Sequence, residues 1–479
     1  MTIAAESLEE HQTFRDELAS VGSDGRRRWV YARQPSGRFY RARTMVSWGL
    51  IGFLVSAPFI RINGLPLVLL NVVERRFALF GLLFWPQDFF LVVLLALTGI
   101  VGLALSTVAV GRVWCGWLCP QTVFLEMVFR KIEFVIDGTA AQQLRRDRGS
   151  WTAGRVWRAA LKHAIFFALS FGIANLFLAY VIGTESLGRI ITTPPHEHLV
   201  GLLAITIFSG LFYAVFARFR EQACVLVCPY GRVMSSLIDR RTITVTYDTV
   251  RGEPRQRMTH GPAPRPAGGD CVDCHQCVTV CPTGIDVRNG PQLECVACTA
   301  CIDACDEVMT KVGRPTGLIR YDSHDAMQGL ARRGLSPRIV ACAAVWLALV
   351  MTVTILIAVR RPVDTLILRQ AGSLFATTSD GDIVNFYTVQ LFNRTAVDRP
   401  FAIVATWPVG ARVTALGPLA HVQAHGLLDT RLMVSVPASS LSGAASPLRF
   451  EVRVAGTAPQ IIESSIVALV KAGAAGSGE

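Results

Sequence analysis

Residues 271–306 read CVDCHQCVTVCPTGIDVRNGPQLECVACTACIDACD and contain eight of the thirteen cysteines in this 479-residue chain. The eight cysteines form two runs with the same spacing, C-x₂-C-x₂-C-x₃-C. The first run consists of Cys271, Cys274, Cys277 and Cys281, and the second of Cys295, Cys298, Cys301 and Cys305. Pro282 follows the first run, whereas Asp306 follows the second. The doubled spacing indicates two sites that each need four thiols. Because Asp306 stands where the first run has a proline, the spacing does not predict the direction that the chain takes after the second run.

This spacing is the one with which two-cluster ferredoxins hold two [4Fe–4S] clusters, the fourth cysteine of each run crossing to the other cluster. The predicted ligand sets are therefore Cys271, Cys274, Cys277 and Cys305 for one cluster, and Cys281, Cys295, Cys298 and Cys301 for the other. Zinc sites favour two separated C-x₂-C pairs with four ligands in all. Disulfides need an oxidising compartment, against which the membrane topology below argues. We therefore predict two iron–sulfur clusters.

Long uncharged apolar runs explain a mean hydropathy of +0.41 and a hydrophobic content of 51%. Runs of this length cross a bilayer core of ~30 Å. They predict five membrane spans, at about 45–60, 89–110, 164–182, 199–217 and 339–359, the first being the shortest. The segment RRFALFGLLFWPQD, between the first two spans, is too short to cross and is predicted to lie at the membrane interface.

Basic residues are distributed unequally between the loops. Eight arginines lie in residues 1–43 and eight basic residues in 112–160, against three in 61–88 and one, Arg189, in 184–197. Because loops rich in Lys and Arg stay in the cytoplasm, the N-terminus and the cysteine-rich loop are predicted to be cytoplasmic and the C-terminal part external. The net charge of +12 is then a consequence of topology, and no nucleic-acid partner is expected.

Two C-x₃-C-P motifs, at 115–120 and 224–229, each follow a span that runs toward the cytoplasm, which indicates an internal repeat. Their cysteines are Cys115, Cys119, Cys224 and Cys228. Residues i and i+4 of a helix share one face, so the thiols of each pair are predicted to reach one metal or one partner. Thiolates suit Cu(I) and iron–sulfur centres, which makes these four residues candidate copper or redox thiols. The alternative is that they pack as small apolar groups.

Other metal-ligating side chains carry weaker signals. His196 and His198, in a predicted outer loop, are either copper ligands or solvated residues at a loop end. His163, at the start of a span, is expected to be packed or interfacial. His275, inside the first cysteine run, is expected to hydrogen-bond or shield a cluster without ligating it. Cys342 is expected to be ordinary packing within a span.

The segment beyond the last span changes to alternating apolar and polar residues separated by turn signals, which is typical of a β-sandwich of roughly a hundred residues. It contains no cysteine, which excludes a disulfide-pinned sandwich. The predicted fold is thus mixed: a five-span α-helical membrane domain, a two-cluster ferredoxin-like cytoplasmic module and a C-terminal β-sandwich. The predicted parts are a cytoplasmic segment 1–43, four spans in 44–217, a cytoplasmic loop 218–338 with the cluster module at about 268–310, a fifth span 339–359 and an external domain 360–479.

The chain resembles the cytochrome c oxidase accessory proteins CcoG, also called FixG or RdxA, which are membrane-bound polyferredoxins. The resemblance lies in the order of the spans, the motifs VWCGWLCPQTVF and CVLVCPYGR, the doubled cysteine run and the β-domain. The resemblance implies a protein of the bacterial inner membrane that reduces Cu(II) to Cu(I) during assembly of a cbb-type oxidase. It also implies an immunoglobulin-like periplasmic domain. The implied partners are copper carriers or oxidase assembly factors and an unidentified electron donor.

The residues themselves leave three functions open. The first is a copper reductase or assembly factor, which the soft thiols and the outer β-domain favour. The second is an electron-transfer subunit of a quinol-linked respiratory complex, and the third is a redox or iron sensor. No G-x-G-x-x-G fingerprint follows a predicted strand, so electrons are expected to come from a separate donor.

Overall fold

The computed structural model describes residues 19–468, except 23, 25, 258–267, 331–335, 371–374, 380 and 418–420. The chain forms two compact units. The first unit comprises Met1–Pro58 and Val93–Val353, and the second comprises Phe59–Val92 and Thr354–Glu479. Two helices, Phe89–Val110 and Pro337–Ala358, therefore contain residues of both units.

Among the residues that the structure describes, four helices are long and apolar enough to cross a membrane, which makes this a membrane protein. They are Pro86–Val110, Ala153–Ile182, Pro195–Phe219 and Pro337–Ala358. The first predicted span coincides with the helix Arg38–Ser56. That helix does not join the four, because Arg38, Arg41 and Arg43 occupy its first two turns. The count of five spans is thus not confirmed.

Short helices surround these spans in the first unit. They are the α-helices Val113–Trp117, Pro120–Phe124, Arg130–Ile136, Ala140–Arg148, Thr184–Thr192, Pro229–Ser235, Thr249–Gly252, Gln276–Thr279, Ala300–Lys311 and His324–Met327, the π-helices Leu125–Phe129 and Ala223–Val227, and the 3₁₀ turn Val287–Asn289. The span Pro195–Phe219 itself consists of the 3₁₀ turn Pro195–His198, the α-helix Leu199–Ala214 and the π-helix Val215–Phe219. Aromatic rings join several of them: Phe129 stacks on Phe216 with centroids 4.5 Å apart and meets Phe166 edge-on at 4.9 Å.

The cysteine-rich loop is closed by two strands that flank it in sequence. Thr244–Tyr247 pairs antiparallel with Ile319–Asp322. The helix Ala300–Lys311 packs on this pair through Ile302 and Met309, which are buried with Tyr247 and with the cysteines themselves. The strands thereby fix the two ends of the loop.

The N-terminal segment and the helix Arg38–Ser56 attach to this module. Arg33 N donates to Thr279 O at 2.8 Å. The carboxylate of Asp303 accepts hydrogen bonds from Phe39 N at 3.2 Å and Tyr40 N at 2.8 Å. These are among the N–H groups that a helix start leaves without an internal partner. Asp303 thus anchors the start of the helix.

The second unit contains a β-sandwich. One sheet has the strand order Arg412–Ala415, Leu427–Val436, Ile383–Asn393, Val363–Arg369, with Ala376–Thr377 also paired to Ile383–Asn393. The other sheet has the order His421–Val422, Arg399–Trp407, Ala445–Val454, Gln460–Val467. All neighbouring strands are antiparallel, and Tyr387 meets Phe450 edge-on in the core at 5.4 Å. The β-sandwich prediction is confirmed.

The segment predicted to lie at the membrane interface contributes strands to this unit. Arg61–Ile62 pairs with Leu65–Pro66, and Val68–Asn71, Arg76–Leu79 and Leu82–Phe84 form a second small sheet. Trp85 packs edge-on against Phe392 of the sandwich, with ring centroids 5.4 Å apart. Asp88 is buried against Arg394 and Arg360, with 2.9 Å between its Oδ1 and Arg394 Nη2. These contacts attach residues 61–88 to the sandwich.

Candidate metal centres

The two cysteine runs have the same backbone turns. Asp273 and His275 in the first run have φ of 48° and 55°, and Ala297 and Thr299 in the second have 52° and 66°. Left-handed backbone costs an ordinary residue roughly 1–2 kcal/mol, and such strain persists where the surroundings impose it. Because both strained positions flank the second cysteine of each run, the repeat in spacing is also a repeat in geometry.

The runs differ in how the chain leaves them. His275 and Thr299 are the N-caps of the helices Gln276–Thr279 and Ala300–Lys311, which hold the third cysteine of each run. The first helix ends before Cys281 and Pro282, because a residue that precedes proline disfavours the α conformation. The second has no proline and continues through Asp306 to Lys311, and the Asp306 carboxylate accepts from Gly317 N at 2.8 Å. Loss of the proline thus extends the helix by two turns.

Each predicted ligand set faces its own cavity. The first cavity, of about 330 Å³ with its open mouth included, is bordered by Cys271, Cys274, Cys277 and Cys305. The second, of about 370 Å³, is bordered by Cys281, Cys295, Cys298 and Cys301, and Cys277 also reaches its edge. The fourth cysteine of each run therefore lies with the other run.

These residues fit [4Fe–4S] clusters better than single ions. In the part of the chain that the structure describes, no three Cys, His, Asp or Glu side chains are close enough to bind one metal ion. A cubane needs wider spacing, because each thiolate binds a different iron at a corner. Burial raises the pKa of Cys277, Cys298 and Cys305 to about 12, so their thiolates are costly unless iron compensates the charge. The donor set and its burial therefore match two clusters.

Arg288 borders the first cavity and was not identified from the sequence. Its side chain is only 3% exposed, and it contacts Asp273 and Asp286, each at 2.6 Å, and His275 Nδ1 at 2.9 Å. Burial raises the pKa of Asp286, but the hydrogen bonds and charge of Arg288 outweigh it and hold the pKa below its usual value. His275 also lines this cavity and remains half exposed. Arg288 thus places a fixed positive charge beside the first ligand set.

The C-x₃-C-P motifs form helix breaks rather than single helical faces. Cys115 lies in the helix Val113–Trp117, but Cys119 is the extended N-cap of the next helix, with ψ of 123°. Cys224 likewise lies in a π-helix and Cys228 is an extended N-cap with ψ of 114°. The prediction that the thiols share one helical face was wrong, because the following proline forces extended backbone on the second cysteine. The two motifs nevertheless have the same local structure.

The four thiols of these motifs lie within electrostatic range of one another. Burial, and then the neighbouring thiols of Cys119, Cys115 and Cys228, raise the pKa of Cys224 to about 12. Burial also raises the pKa of Cys115, which the guanidinium of Arg112 partly offsets. The repeat thus brings two distant C-x₃-C-P motifs to one place.

This thiol group adjoins the second cluster cavity. Cys115 packs in one apolar cluster with Val296 and Cys298. Gly116 is so close to the cysteine loop that a Cβ built on it would lie 2.4 Å from Val296 O. The buried Arg112 donates a hydrogen bond to Leu293 O just before the second run. The C-x₃-C-P group and the second ligand set are therefore direct neighbours.

The remaining candidates lie apart from this region of the fold. His196 and His198 are exposed on a 3₁₀ turn. His163 Nδ1 contacts Tyr213 Oη at 2.9 Å. Cys342 lies half-buried in the helix Pro337–Ala358. Among the described residues, none of them belongs to a group of three or more side chains that could hold a metal ion.

Three family models match the chain. Residues 219–324 match a 4Fe-4S dicluster domain, residues 90–137 match a 4Fe-4S binding domain, and residues 353–468 match the Ig-like fold at the C-terminus of FixG. The first match contains all eight cysteines of the doubled run, and the second contains Cys115 and Cys119. These matches support iron–sulfur clusters as the cofactors.

Several curated proteins resemble the chain over most of its length. The protein RdxA of Cereibacter sphaeroides is 36% identical over 467 residues, which cover 92% of this chain and 96% of RdxA. The nitrogen fixation protein FixG of Rhizobium meliloti is 33% identical and covers 82% of this chain and 83% of FixG. The protein RdxB of Cereibacter sphaeroides is 32% identical, with coverage of 79% and 82%.

Proposed function

The chain belongs to the FixG/RdxA family of membrane ferredoxin-like proteins, and from this we propose that it is an electron-transfer protein that reduces Cu(II) to Cu(I) for assembly of a cbb-type cytochrome c oxidase. The family and the 4Fe-4S matches support the electron-transfer part. The copper part rests on the neighbouring C-x₃-C-P thiols.

The proposed cluster ligands are the two sets that border the two cavities. The first set is Cys271, Cys274, Cys277 and Cys305, and the second is Cys281, Cys295, Cys298 and Cys301. When bound, each [4Fe–4S] cluster supplies one-electron redox chemistry at a potential set by its hydrogen bonds, neighbouring charge and exposure. The protein holds the thiols in strained loops and buries or half-buries all of them except the exposed Cys274, which limits access of water and competing ligands.

The convergence of the four C-x₃-C-P thiols beside the second ligand set is the observation that carries the copper proposal. Soft thiolates bind Cu(I) more tightly than harder ligands do. A site that prefers Cu(I) raises the potential of bound copper, so that Cu(II) gains one electron more readily. Cys115 belongs to the same buried cluster of side chains as Cys298, so copper held by these thiols would be close to an electron source. A pair of thiolates is enough to hold Cu(I).

We also propose the topology in which the N-terminus and cysteine module are cytoplasmic and the β-sandwich is periplasmic. The helix Arg38–Ser56 supports a fifth span. Asp303 of the cluster helix binds the start of that helix, while the strands at residues 61–84, just past its end, belong to the unit of the sandwich. Arginines concentrated before residue 44 support the same orientation.

The test is the double variant Cys115→Ser with Cys224→Ser, with Cys342→Ser as the matched control. Dithionite-reduced protein in detergent is mixed anaerobically with Cu(II), and Cu(I) is trapped with a chromogenic chelator. We expect the double variant to lose at least about tenfold in reduction rate while the EPR signals of both clusters remain, and the control to keep its rate.

An unchanged rate in the double variant would contradict the copper proposal. It would instead favour an electron-transfer subunit of a quinol-linked complex, which uses the same clusters without copper thiols. Loss of both clusters in the double variant would assign these cysteines a structural role.

A further inference from the structure

A cavity of about 710 Å³ lies at one end of two membrane helices, away from the thiols. Its walls come from the N-terminal segment, the helices Arg130–Ile136 and Ala140–Arg148, and the helices Ala153–Ile182 and Pro195–Phe219. Pockets of roughly 300–1,000 Å³ hold small organic ligands. The cavity is therefore of a size for a molecule that reaches it from the edge of the bilayer.

The cavity has aromatic walls. Trp29 and Tyr31 line one side, Phe166 lies at the base with 1% exposure, and Trp151 lines the rim. The guanidinium of Arg155 covers Trp151 at 4.3 Å, yet this tryptophan remains 71% exposed. The uncovered face of its ring is thus free to stack on a planar ligand.

Polar groups suited to proton transfer also converge there. His163 Nδ1 contacts Tyr213 Oη at 2.9 Å, which leaves Nε2 as the ring nitrogen for a ligand. Lys162 Nζ lies 2.6 Å from Asp137 Oδ2 and 4.0 Å from Glu133 Oε1. Five basic and three acidic side chains are among the described residues that line the cavity. This surplus of positive charge stabilises a ligand that becomes an anion.

A single extended segment separates the cavity from the cysteine loop. Trp29 and Tyr31 face the cavity, while Val30 between them faces the other way: a Cβ built on Gly284, three residues after Cys281, would lie 3.1 Å from Val30 Cγ2. The cavity therefore lies on the reverse side of the segment that packs on the loop of Cys281.

We propose that this cavity binds the head group of a membrane quinol, the electron donor of this protein. The inference rests on the proposed function only in requiring reducible clusters. A donor for one-electron acceptors must release its electrons singly, which quinols do. A quinol also enters from the bilayer, where two walls of the cavity originate.

The reaction is quinol to quinone. Both O–H bonds of the quinol break and the ring becomes a quinone, with loss of two protons and two electrons. His163 Nε2 accepts one proton while Nδ1–H donates to Tyr213 Oη, and the other passes to the Asp137 carboxylate and on to water. The two electrons would be accepted singly by the two [4Fe–4S] clusters that the two cysteine sets would hold. The surplus cations stabilise the anion left by loss of the first proton.

Binding is measured on full-length protein in nanodiscs, by the quenching of tryptophan fluorescence on titration with decylubiquinone. Trp151→Ala should weaken binding about five- to tenfold, since it removes a stacking face. Trp157→Ala is the matched control, because this residue is on the same surface with 69% exposure and outside the cavity wall. Arg158→Gln, in the wall, should also weaken binding, whereas Arg148→Gln, outside it, should not.

Cluster reduction is measured separately by EPR after anaerobic addition of decylubiquinol. We expect reduced-cluster signals in the unchanged protein and in Trp157→Ala, and slower reduction in His163→Gln with unchanged reduction by dithionite. Quinone that fails to bind, or binds equally to Trp151→Ala, would overturn the proposal, as would quinol that binds without reducing a cluster. Occupation by phosphatidylglycerol in place of quinone would assign the cavity to a lipid head group and overturn it too.

These outcomes are distinct from failure of copper reduction. If the protein reduces Cu(II) with dithionite but is not reduced by quinol, the proposed function is supported and the quinol site is contradicted. If the protein accepts electrons from quinol but does not reduce Cu(II), the quinol site is supported and the copper role is contradicted.

Discussion

Arg288 carries a permanent charge against the first cluster cavity while 3% of its side chain is exposed. Buried charge is retained where it is paired, and here two aspartates and His275 hold the guanidinium in place. A fixed cation favours the more negative, reduced form of a neighbouring cluster. We therefore expect Arg288 to raise the reduction potential of a cluster held by the first cysteine set.

Replacement Arg288→Met should lower the reduction potential of the first cluster by some tens of millivolts, since 59 mV is a tenfold change for one electron. The second cluster should keep its potential, because Arg288 borders only the first cavity. Redox titration followed by EPR measures both values. Arg314→Met, whose partner is Asp270 at 3.4 Å, is the control. A variant with both potentials unchanged would show that Arg288 is purely structural.

For the C-x₃-C-P elements, the sequence predicts the internal repeat but not the backbone conformation or the convergence of the two motifs. The spacing predicted a repeat, and the structure has two matching helix breaks. The same spacing misplaced Cys119 and Cys228 on a continuous helix, although the proline after each was visible and its effect on the preceding backbone is known. Convergence of the two motifs depends on packing between distant segments, which neither motif encodes.

Close packing between the first of these elements and the cysteine loop leads to a prediction for Gly116→Ala. The new methyl group would overlap Val296 O, so we expect a loss of stability of about 1–3 kcal/mol and a lower iron content. Gly172→Ala is the control, a helical glycine with no atom within 4 Å of an added Cβ, which should be neutral or stabilising. Thermal unfolding and iron analysis in detergent compare the two. Equal stability of the two variants would mean that the backbone around Gly116 and Val296 shifts to accommodate the methyl group at little cost.

The attachment of residues 61–88 to the β-sandwich depends on Asp88. Replacement Asp88→Asn leaves Arg360 and Arg394 buried without their shared carboxylate, and removing one partner of a buried pair costs roughly 3–5 kcal/mol. We expect faster hydrogen exchange and faster proteolysis in the strands at 61–84. Asp364→Asn is the control, because Asp364 is 42% exposed and 3.6 Å from Arg394. Equal protection in both variants would contradict this role.

The sequence was informative about the molecule where structure or chemistry depends on the spacing of residue types along the chain. It predicted the β-sandwich and five spans, four of which are found as long apolar helices in the described part of the chain. The two predicted ligand sets each border a cavity, and their binding of clusters stays a prediction. The sequence did not reveal the strands at 61–84, which are two to four residues long and pair only with one another, because strands this short leave little alternation of apolar and polar residues. The buried arginines, among them Arg43 and Arg112, were counted as loop charges, since pairing across distant segments leaves no local pattern.

The five-span topology is testable with reporters. Alkaline phosphatase, active only outside the cytoplasm, should be active when fused after Gly64 or Gly410 and inactive after Gly313. The Gly64 fusion decides whether the helix Arg38–Ser56 crosses, because it lies between that helix and the next. Activity after Gly313, or none after Gly64, would refute this arrangement.

The N-terminal segment has a consequence for the timing of synthesis. Ala19 N binds Glu294 Oε1 at 3.1 Å, a contact between residues 275 positions apart. At roughly 5–20 residues per second, a ribosome needs about 14–55 s between the two. During that interval the N-terminal segment has already been made, but its partner Glu294 has not. The cysteine loop therefore leaves the ribosome without the segment bound to it. The N-terminal segment can bind the cysteine loop only after Glu294 has been made, so this contact forms late in synthesis although the segment itself is made early.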